Sequence, residues 1–556
     1  MVDALTQNIG LDDLAPAGSQ GAIERVPTAV TAFVGRALKG PINEPVAIGS
    51  FAEFQRSFGG LWQPSTLSYA VEQFFENGGR RALVVRVVNG GRPPSITLPA
   101  SASVVGSGAG AGASAGALRL LGLAPGSREH LRASVDYDGI VDAEDDRFNL
   151  VLQRVGGPGS GLVEEQEIHR RVSVRPDAGR YVVDVLAQSK LARVVGTPPS
   201  VRPDRPPPST PGGAVGYQVA NNDGDDGVPL TDYDVIGSAQ EGTGLFALAR
   251  APRFDLLCIP PLGREQDVGA STLLVAARFC RERQAMLVVD PPREWTTPVE
   301  ALAGFRHWPF RADNALMYFP RIVATDRLRG RDETFGCGAA IAGMIARMDE
   351  SAPPWSPLER DAVLLRPRLR PDCAVTEPQR QRLLQVGINT LAATRLAHRE
   401  PGTARTLATG NTVASDWRYL PARRLALCVV PSILEGTRWM LLAHNGERSW
   451  RRARAQVEAF LEAFCQEGAF SAPEGQQEYF VVCDARLNDA RAVAERRVSL
   501  LFGYASAKPG EYHAFVVTHR TGASEVRSVS VNRLATSGRR VEEEIETALL
   551  RGLASI

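Results

Sequence analysis

One stretch of the sequence carries the residue pattern of a catalytic serine. Gly112 to Gly116 reads GASAG, which matches the GxSxG pattern of a nucleophile elbow with Ser114 as the nucleophile. That pattern works only where a buried strand turns sharply into a helix, because the turn exposes the serine hydroxyl. Here it lies inside GSGAGAGASAGA, a glycine- and alanine-rich segment typical of a linker. An α/β hydrolase-like enzyme that uses Ser114 is therefore kept as the alternative interpretation.

A second candidate is an acidic stretch with the composition of a calcium loop. The sequence NNDGDDGVPLTDYD runs from Asn221 to Asp234. Counted from Asn221, the turn glycine falls one place late, and position twelve is Asp232 instead of a bidentate glutamate. Counted from Asn222, the last ligand becomes Tyr233. A loop between domains, rich in turn-forming residues, explains the stretch better.

Metal, disulfide and nucleotide chemistry are not predicted either. The seven cysteines form no CxxC pair, and most lie in apolar stretches such as FDLLCIPP, where cysteine serves as a small buried hydrophobe. The seven histidines never pair at metal-ligand spacing, and the sequence contains no GxxxxGKS or GxxxxGKT phosphate loop. We therefore expect no enzyme activity, no metal and no cofactor.

Composition predicts a multidomain protein without a polyanion-binding role. The 556 residues are 44% apolar and 22% charged, which is enough for several domains with apolar cores. The 63 lysines and arginines nearly balance the 62 aspartates and glutamates, so no net field recruits nucleic acid or an anionic membrane. The sequence shows neither a signal peptide nor a run of eighteen apolar residues. We expect a cytoplasmic protein that neither binds nucleic acid nor inserts into a membrane.

The elements that would position any site alternate between strands and helices. From Thr28 to Val88 the order is strand, helix, helix, strand, with TAVTAFVG and RRALVVRVV as the strands. The alternation returns after residue 250, from FDLLCIPP to CGAAIAGMIARMD. Strands that are apolar on both faces and alternate with helices predict a mostly parallel sheet covered on each side.

A stretch of different composition interrupts this pattern. The glycine-alanine segment from Gly106 to Ala117 and the proline-rich tract from Thr197 to Gly213 bracket it. Between them, FNLVLQRV, QEIHRRVSV and RYVVDVLAQS alternate with period two, which predicts strands. We predict a mainly β domain inserted into a loop of the α/β domain.

A third region follows the α/β part. TEPQRQRLLQVGIN and SWRRARAQVEAFLEAFCQEGAF are typical of helices, while RRLALCVVPSI, QEYFVVCDARLN and EYHAFVVTHRTG are typical of strands. SEVRSVSVNRLA predicts a weaker strand, and RRVEEEIETALLRGL predicts a terminal amphipathic helix. The predicted fold class is α/β and α+β multidomain: an α/β middle domain with an inserted mainly β domain, followed by an α+β C-terminal domain.

Five separated phrases carry a family resemblance. They are TAVTAFVGRALKGPINEPVAIGSFAEFQRSFGG, LSYAVEQFFENGGRRALVVRVVN, GINTL, the segment from WRYLPARRL to CQEGAF, and EYFVVCDARLN. In this order they resemble the tail sheath proteins of contractile phages and related injection systems. The resemblance covers roughly residues 25 to 90 and 235 to 518.

The resemblance implies a structural subunit rather than an enzyme. Such subunits assemble in the cytoplasm, polymerise helically around an inner tube, and contract to drive the tube through a target envelope. The implied partners are other copies of the chain, the inner tube protein, and baseplate and tail terminator or cap proteins. The implied final location is a virion tail, a tailocin or a released contractile particle.

The resemblance also implies a division of the chain into six segments. They are an N-terminal arm (1–22), the first part of the middle α/β domain (23–95), an inserted outer β domain (96–222), the second part of the middle domain (223–374), a tube-facing α+β C-terminal domain (375–520) and a C-terminal arm or helix (521–556).

Two sets of site residues follow from this division. Extended terminal arms would add strands to neighbouring copies. Val529 and Val531 alternate with polar residues, and they are the strand-exchange candidates together with Val526 and Ile23. The tube-contact candidates open the helix SWRRARAQVEAFLEAF, and they are Arg451, Arg452 and Arg454. A solvated helix face is the alternative interpretation of these three arginines.

Overall fold

A computed structural model gives the fold. It describes residues 4–8, 22–101, 114–141, 145–157, 159–208, 215–221, 223–356, 365–366, 368–391, 404–408, 416–470, 472, 477–505 and 512–531. The chain is a mixed α/β protein with several sheets, as the fold-class prediction states in outline. The predicted terminal helix RRVEEEIETALLRGL lies outside the described residues.

The first part of the chain forms the predicted strand, helix, helix, strand unit, with one short strand before the first helix, β3, that the sequence analysis did not predict. The short helix α1 begins after Ser50, whose hydroxyl accepts a hydrogen bond from the Glu53 N–H, and it ends at Gly59, whose φ of 89° suits glycine. The elements are β1 (Ala4–Asn8), β2 (Thr31–Gly35), β3 (Val46–Ile48), α1 (Phe51–Phe58), α2 (Thr66–Glu76) and β4 (Ala82–Arg86).

The next part forms two antiparallel sheets around one shared core, here called the two-sheet module. One sheet has the strand order β10-β6-β5 and the other has the order β11-β7-β8-β9. Its elements are β5 (Ser95–Ser101), β6 (Ser114–Gly122), β7 (Leu131–Asp136), β8 (Arg147–Val155), β9 (Val163–Ser173), α3 (Val182–Leu186), β10 (Ala192–Val194) and β11 (Gln218–Val219).

The predicted strand RYVVDVLAQS was wrong. The structure forms the short helix α3 there, because Val182 and Leu186, four residues apart, both point into the core of the two-sheet module. Four valines and leucines in six residues satisfy either period, so the pattern alone did not separate the two.

The chain then returns to alternating strands and helices. The elements are α4 (Asp232–Ile236), β12 (Leu256–Cys258), α5 (Ala270–Glu282), β13 (Met286–Val289), α6 (Pro298–Arg306), β14 (Ala315–Phe319), β15 (Ile322–Asp326), β16 (Arg331–Phe335), α7 (Gly338–Asp349), β17 (Arg370–Pro371), α8 (Glu377–Val386) and β18 (Ile388–Thr390). A 3₁₀ helix covers Gly244–Arg250. β16, β15 and β17 form a small antiparallel sheet of their own.

Seven strands form the central layer, in the order β18-β14-β13-β12-β2-β4-β3. All neighbouring pairs are parallel except β3 with β4. Each face has its own apolar core: α5, α6 and α8 cover one face, and α1, α2 and α7 cover the other. This parallel sheet, covered on both sides, confirms the prediction from the apolar strands.

The last part is an antiparallel sheet with helices on one face, here called the C-terminal sheet. The strand order is β1-β22-β21-β20-β19, and α9 and α10 pack against it. The elements are α9 (Leu420–Gly436), α10 (Glu447–Gln466), β19 (Tyr479–Val482), α11 (Ala490–Ala494), β20 (Val498–Ala505), β21 (Tyr512–Arg520) and β22 (Ala523–Val531). Asp416–Arg418 and Arg438–Leu441 are 3₁₀ helices.

The prediction that RRLALCVVPSI is a strand was also wrong, because these residues belong to helix α9. Their hydrophobic side chains are buried nearly all round, which removes the one-sided pattern that marks an amphipathic helix. Among the helices in the described part of the chain, none combines the length and apolarity that a bilayer crossing requires.

Candidate functional site

Strand β22 holds most of the predicted strand-exchange residues. It pairs with β21 over nine residues, from Tyr512 opposite Val531 to Arg520 opposite Ala523. Val526 is buried in the core under α9 and α10, and Val529 packs partly against a second cluster on the opposite face. Val526 and Val529, an odd number of positions apart, therefore face opposite sides of the sheet, and the segment lies in its own subunit's sheet.

This placement corrects one expectation. The sequence suggested that the segment follows a complete domain and finds no partner within its own subunit, but β22 is an integral strand of the C-terminal sheet. Beyond it, β1 lies at the edge and pairs antiparallel with β22, from Ala4 opposite Arg527 to Asn8 opposite Ala523. Whether β1 and β22 exchange between copies stays a prediction.

Ile23, the fourth strand-exchange candidate, lies outside any strand. It is buried in the core of the C-terminal region, and a Cβ at Gly436 would lie 2.7 Å from its Cγ2, so only glycine allows this approach. The Val26 N–H donates to Ser432 Oγ at 3.0 Å. A strand-exchange role for Ile23 stays a prediction, and its contacts are those of an anchor.

The rest of this N-terminal segment is fixed in the same way, and residues 22–28 are here called the strap. Arg25 donates twice to Glu467, at 2.9 and 2.5 Å, with its guanidinium 4.2 Å from the centre of the Phe464 ring. Thr28 Oγ1 donates to Asp349 Oδ2 at 2.6 Å, and the same carboxylate accepts from Arg424. The strap therefore connects the parallel-sheet region to α9 and α10.

The three tube-contact candidates lie on the outer surface of α10, but they do not share one face. Arg451 lies 3.9 Å from Glu447 and Arg454 donates to Glu458 at 2.7 Å, each four residues away on the same flank. Arg452 lies on another flank, with its guanidinium 4.4 Å from the centre of the Trp439 ring. All three are exposed.

Charge along α10 is arranged by sign. Apart from Glu447, the first half carries arginines, at 448, 451, 452 and 454, and the second half carries glutamates, at 458 and 462. The helix macrodipole favours the opposite order, with acidic residues near the N-terminus and basic residues near the C-terminus. The macrodipole therefore does not explain this arrangement, and within the helix only the pairs of Arg451 with Glu447 and of Arg454 with Glu458 favour it.

The junction between the parallel sheet and the two-sheet module rests on residues that sequence analysis missed. Arg86, at the end of β4, is fully buried and donates to the carbonyls of Ala37 and Gly40 at 3.0 and 2.7 Å, and across the junction to Pro125 O at 2.6 Å. Burial lowers the pKa of Arg86 to about 10. No pattern in RRALVVRVV distinguishes this arginine from an exposed one.

Glu129 completes the junction. Its carboxylate accepts from the Gly40 N–H at 3.0 Å and from Arg154 Nε at 3.0 Å, and its side chain is almost completely buried. Lys39 pairs with Glu164 at 2.6 Å beside it. The two-sheet module is thus held to the parallel-sheet region by specific polar contacts.

The acidic stretch predicted to be an interdomain loop uses its carboxylates for backbone contacts. Asp223 accepts from the N–H and hydroxyl of Ser95, and Asp226 accepts from the same two groups of Ser127. Asp232 accepts from the Gly269 N–H. No group of histidine, cysteine, aspartate and glutamate side chains suited to a metal ion occurs within the described ranges.

Ser114 does not lie at a strand-to-helix turn. It is the first residue of β6, which runs on to Gly122 and pairs antiparallel with β5. A nucleophile elbow needs the sharp turn that this position lacks. The structure therefore gives the GxSxG match no support as a catalytic site.

One buried histidine belongs to the C-terminal sheet. His519 Nε2 lies 2.9 Å from Thr437 Oγ1, and Nδ1 lies 2.7 Å from Ser524 Oγ. The Thr437 hydroxyl donates to Ile433 O, so it accepts from Nε2–H, and Nδ1 accepts from Ser524. Burial, reinforced by the charge of Arg438, lowers the pKa of His519 to about 3.

Comparisons with known proteins found no match by sequence and several matches by fold. No protein-family model matches the sequence, and no curated protein matches it. The structure is similar to the sheath tail protein from Listeria innocua, with a TM-score of 0.52 and 12% identity, over 90% of this chain and 96% of that chain. It is also similar to the PVC sheath of an extracellular contractile injection system in the contracted state, with a TM-score of 0.50 and 14% identity, over 89% of this chain and 93% of that chain.

Proposed function

We propose that this chain, which has the fold of sheath tail proteins, is the structural subunit of a contractile sheath. Identical copies polymerise helically around an inner tube, and contraction drives the tube through a target envelope. The observation that carries the proposal is the fold likeness, because it extends over nearly the whole of both chains rather than over one common domain. Residues 1–22 and 521–556 act as arms, 96–222 as the outer domain, and 375–520 as the tube-facing domain.

The C-terminal sheet supports strand exchange as the mode of polymerisation. An antiparallel pair at a sheet edge is held by backbone N–H and C=O groups, so identical strands from different copies compete on equal terms. A β1 strand from a neighbouring copy can occupy the register that β1 has beside β22, from Ala4–Arg527 to Asn8–Ala523. The strap fixes the base of each N-terminal arm to its own subunit, so the arm swings while the connection holds.

The sign-sorted charge of α10 supports a role as the surface that faces the tube. Exposed ion pairs are individually worth about 0–1 kcal/mol, so a row of them holds a tube surface and releases it during contraction. Arg451, Arg452 and Arg454 supply the positive half of this surface. The inner tube protein is the proposed partner, with baseplate and terminator proteins at the two ends of the polymer.

Negative-stain electron microscopy of the purified full-length chain, alone and with the tube protein encoded beside it, tests the proposal. We expect tubes or stacked rings with a helical repeat. The opposite result would be compact single particles at all concentrations and salt levels, together with ester hydrolysis that a Ser114→Ala substitution abolishes. That result would contradict the sheath proposal and favour the enzyme interpretation.

A further inference from the structure

Two arginine-rich segments lie side by side on the small sheet. The hairpin between β15 and β16 reads RLRGR, with Arg327, Arg329 and Arg331, and the segment around β17 reads RPRLR. Pairing of β15 with β17, Val323 opposite Arg370, brings the two segments together. We call this set the arginine surface, and its members are Arg327, Arg329, Arg331, Arg366, Arg368 and Arg370.

The arginines of this surface form an outer layer over carboxylates. The side chains of Arg331 and Arg368 are 67% and 71% exposed, whereas their partners Glu333 and Glu76 are 13% and 29% exposed. Arg329 and Arg327 pair with the same two glutamates, at 2.6 and 2.9 Å. Glu333 and Glu76 hold these guanidiniums from below, and the side chains of Arg331 and Arg368 stay mostly exposed above them. Arg370 pairs with Asp332 at 3.1 Å, and that carboxylate is 53% exposed.

An apolar side chain lies among these charges. Leu328, at the tip of the hairpin, is 54% exposed between Arg327 and Arg329. A surface that offers guanidinium donors around one exposed leucine fits an amphipathic helix with a row of carboxylates along one side and apolar residues on the other.

The chain itself carries such a segment. Residues 541–550 read VEEEIETALL. On the predicted helix, Glu542 and Glu546 lie one turn apart beside the apolar face of Val541, Ile545, Ala548 and Leu549, and Glu543 and Glu544 lie on the remaining polar side. The last described strand ends at Val531, and the nine residues from 532 to 540 that connect it to this segment span up to roughly 30 Å when extended. This span is about the diameter of a small domain, so a neighbouring copy lies within reach of the segment.

We propose that the arginine surface binds the acidic C-terminal segment, residues 541–550, of a second copy of the chain. This contact is additional to strand exchange. It rests on the proposed function only because polymerisation would place copies of the chain next to one another. Because the contact is electrostatic and exposed, it weakens as salt rises, when the Debye length falls from about 10 Å at 0.1 M to about 3 Å at 1 M.

Fluorescence anisotropy with a labelled peptide of residues 541–550, which carries the four glutamates and no basic residue, tests the recognition without depending on tubes. The receptor is the full-length chain with Glu542→Lys, Glu543→Lys and Glu544→Lys, so that its own segment does not compete. We expect the peptide to bind at 50 mM salt, and at least tenfold more weakly after Arg327→Glu, Arg329→Glu and Arg331→Glu. A peptide with the same three lysines should bind this charge-reversed surface.

The matched control reverses three exposed arginines that belong to no proposed site, Arg56→Glu, Arg278→Glu and Arg491→Glu, and should leave peptide binding unchanged. If the hairpin variant loses its fold, judged by circular dichroism, Arg366→Glu with Arg368→Glu replaces it. Absence of peptide binding, or equal loss in this control and the hairpin variant, would overturn the proposal. Peptide binding by a chain that forms no tubes would support this proposal and would contradict the proposed function.

Fluorescence energy transfer between two labelled populations of the full-length chain tests whether the segment binds a second copy of the chain. One population carries a donor at residue 550, and the other carries an acceptor at residue 328. We expect transfer in the mixture at low salt and its loss at 1 M salt. Transfer only when both labels are in one chain would show that the segment folds back on its own subunit, which contradicts the proposal.

Discussion

Arg86 is the residue on which the attachment of the two-sheet module most depends. Its guanidinium satisfies carbonyl groups from both sides of the junction, at Ala37, Gly40 and Pro125. Replacing it with methionine keeps the unbranched apolar stem of the side chain and leaves these buried acceptors without a donor. We expect Arg86→Met to lower the free energy of unfolding by about 3 kcal/mol or more, measured by urea denaturation.

The control for this prediction is Arg56→Met in α1. The Arg56 side chain is 76% exposed and makes one weak ion pair with Glu53, so the change should stay within about 0.5 kcal/mol. Limited proteolysis gives a second measurement, because a loosened module exposes the proline-rich tract near residue 205. Equal stability of the two variants would mean that water replaces Arg86 at the junction.

His519 makes stability depend on pH. Its pKa is lowered to about 3 in the folded state, against about 6.5 when unfolded, so the unfolded state binds the proton more readily. The contribution of the neutral imidazole is full above pH 6.5 and is lost as pH falls from 6.5 towards 3. Between pH 7 and pH 5 we expect a loss of about 2 kcal/mol from this group.

The measurement compares urea unfolding of the wild type and His519→Gln at the two pH values. Glutamine does not titrate, so the variant should lose less stability than the wild type between pH 7 and pH 5. His444, which is exposed, provides the control substitution His444→Gln. If wild type and His519→Gln lose the same stability, the proton is taken up elsewhere.

Among the elements, β22 gives the sharpest prediction about the C-terminus. It forms nine residue pairs with β21 and buries Val526, so it stabilises its own subunit. Deleting residues 521–556 should lower the melting temperature by several degrees or unfold the C-terminal sheet, whereas deleting 532–556 should leave it nearly unchanged. Scanning fluorimetry distinguishes the two truncations, and equal melting temperatures would show that β22 adds little to the folded subunit.

The α10 surface makes a separate prediction about assembly. Reversing Arg451, Arg452 and Arg454 to glutamate removes the positive half of the helix, all of it exposed, so folding should be unaffected. We expect the variant to lose co-assembly with the tube protein at low salt, seen by co-sedimentation and electron microscopy. Unaltered co-assembly would favour the solvated-face interpretation of these arginines.

The elements show how far sequence patterns reach. Strands β2, β4, β12 and β13 and helices α1, α2 and α5 were predictable, because local caps and uniformly apolar strands determine them. α9 was misread as a strand because its valines and leucines are buried nearly all round, and β20 was not predicted although all eight of its residues are buried. In both, tertiary burial overrides the local period.

The residues of the candidate site also fall into those that the sequence could predict and those that it could not. Exposed charges on α10 and alternating valines on β22 are visible in the sequence, since they depend only on their own element. The junction of Arg86 and Glu129, and the pairing that joins the two arginine-rich segments, depend on residues 39 or more positions apart. No single-sequence pattern encodes such distances.

At the scale of the whole molecule, the two-sheet module has its own core, and the polar junction of Arg86 and Glu129 joins it to the parallel-sheet region. Replacing residues 96–222 by a short Gly-Ser link should therefore give a folded subunit that still forms tubes. The melting temperature should fall, because Arg86 and the Gly40 N–H lose partners. Electron microscopy checks tube formation, and scanning fluorimetry checks the melting temperature. A folded variant that never polymerises would show that the module takes part in contacts between subunits.

The position of the module within the parallel sheet also has a consequence for biosynthesis. β2 lies between β4 and β12, and the whole module is translated after β4 and before β12. At about 5–20 residues per second, the apolar edge of β2 waits on the order of ten seconds or more for its second neighbour, while the module folds on its own. Nascent chains stalled before residue 256 should therefore bind holdase chaperones through β2, and chains released beyond β12 should escape them.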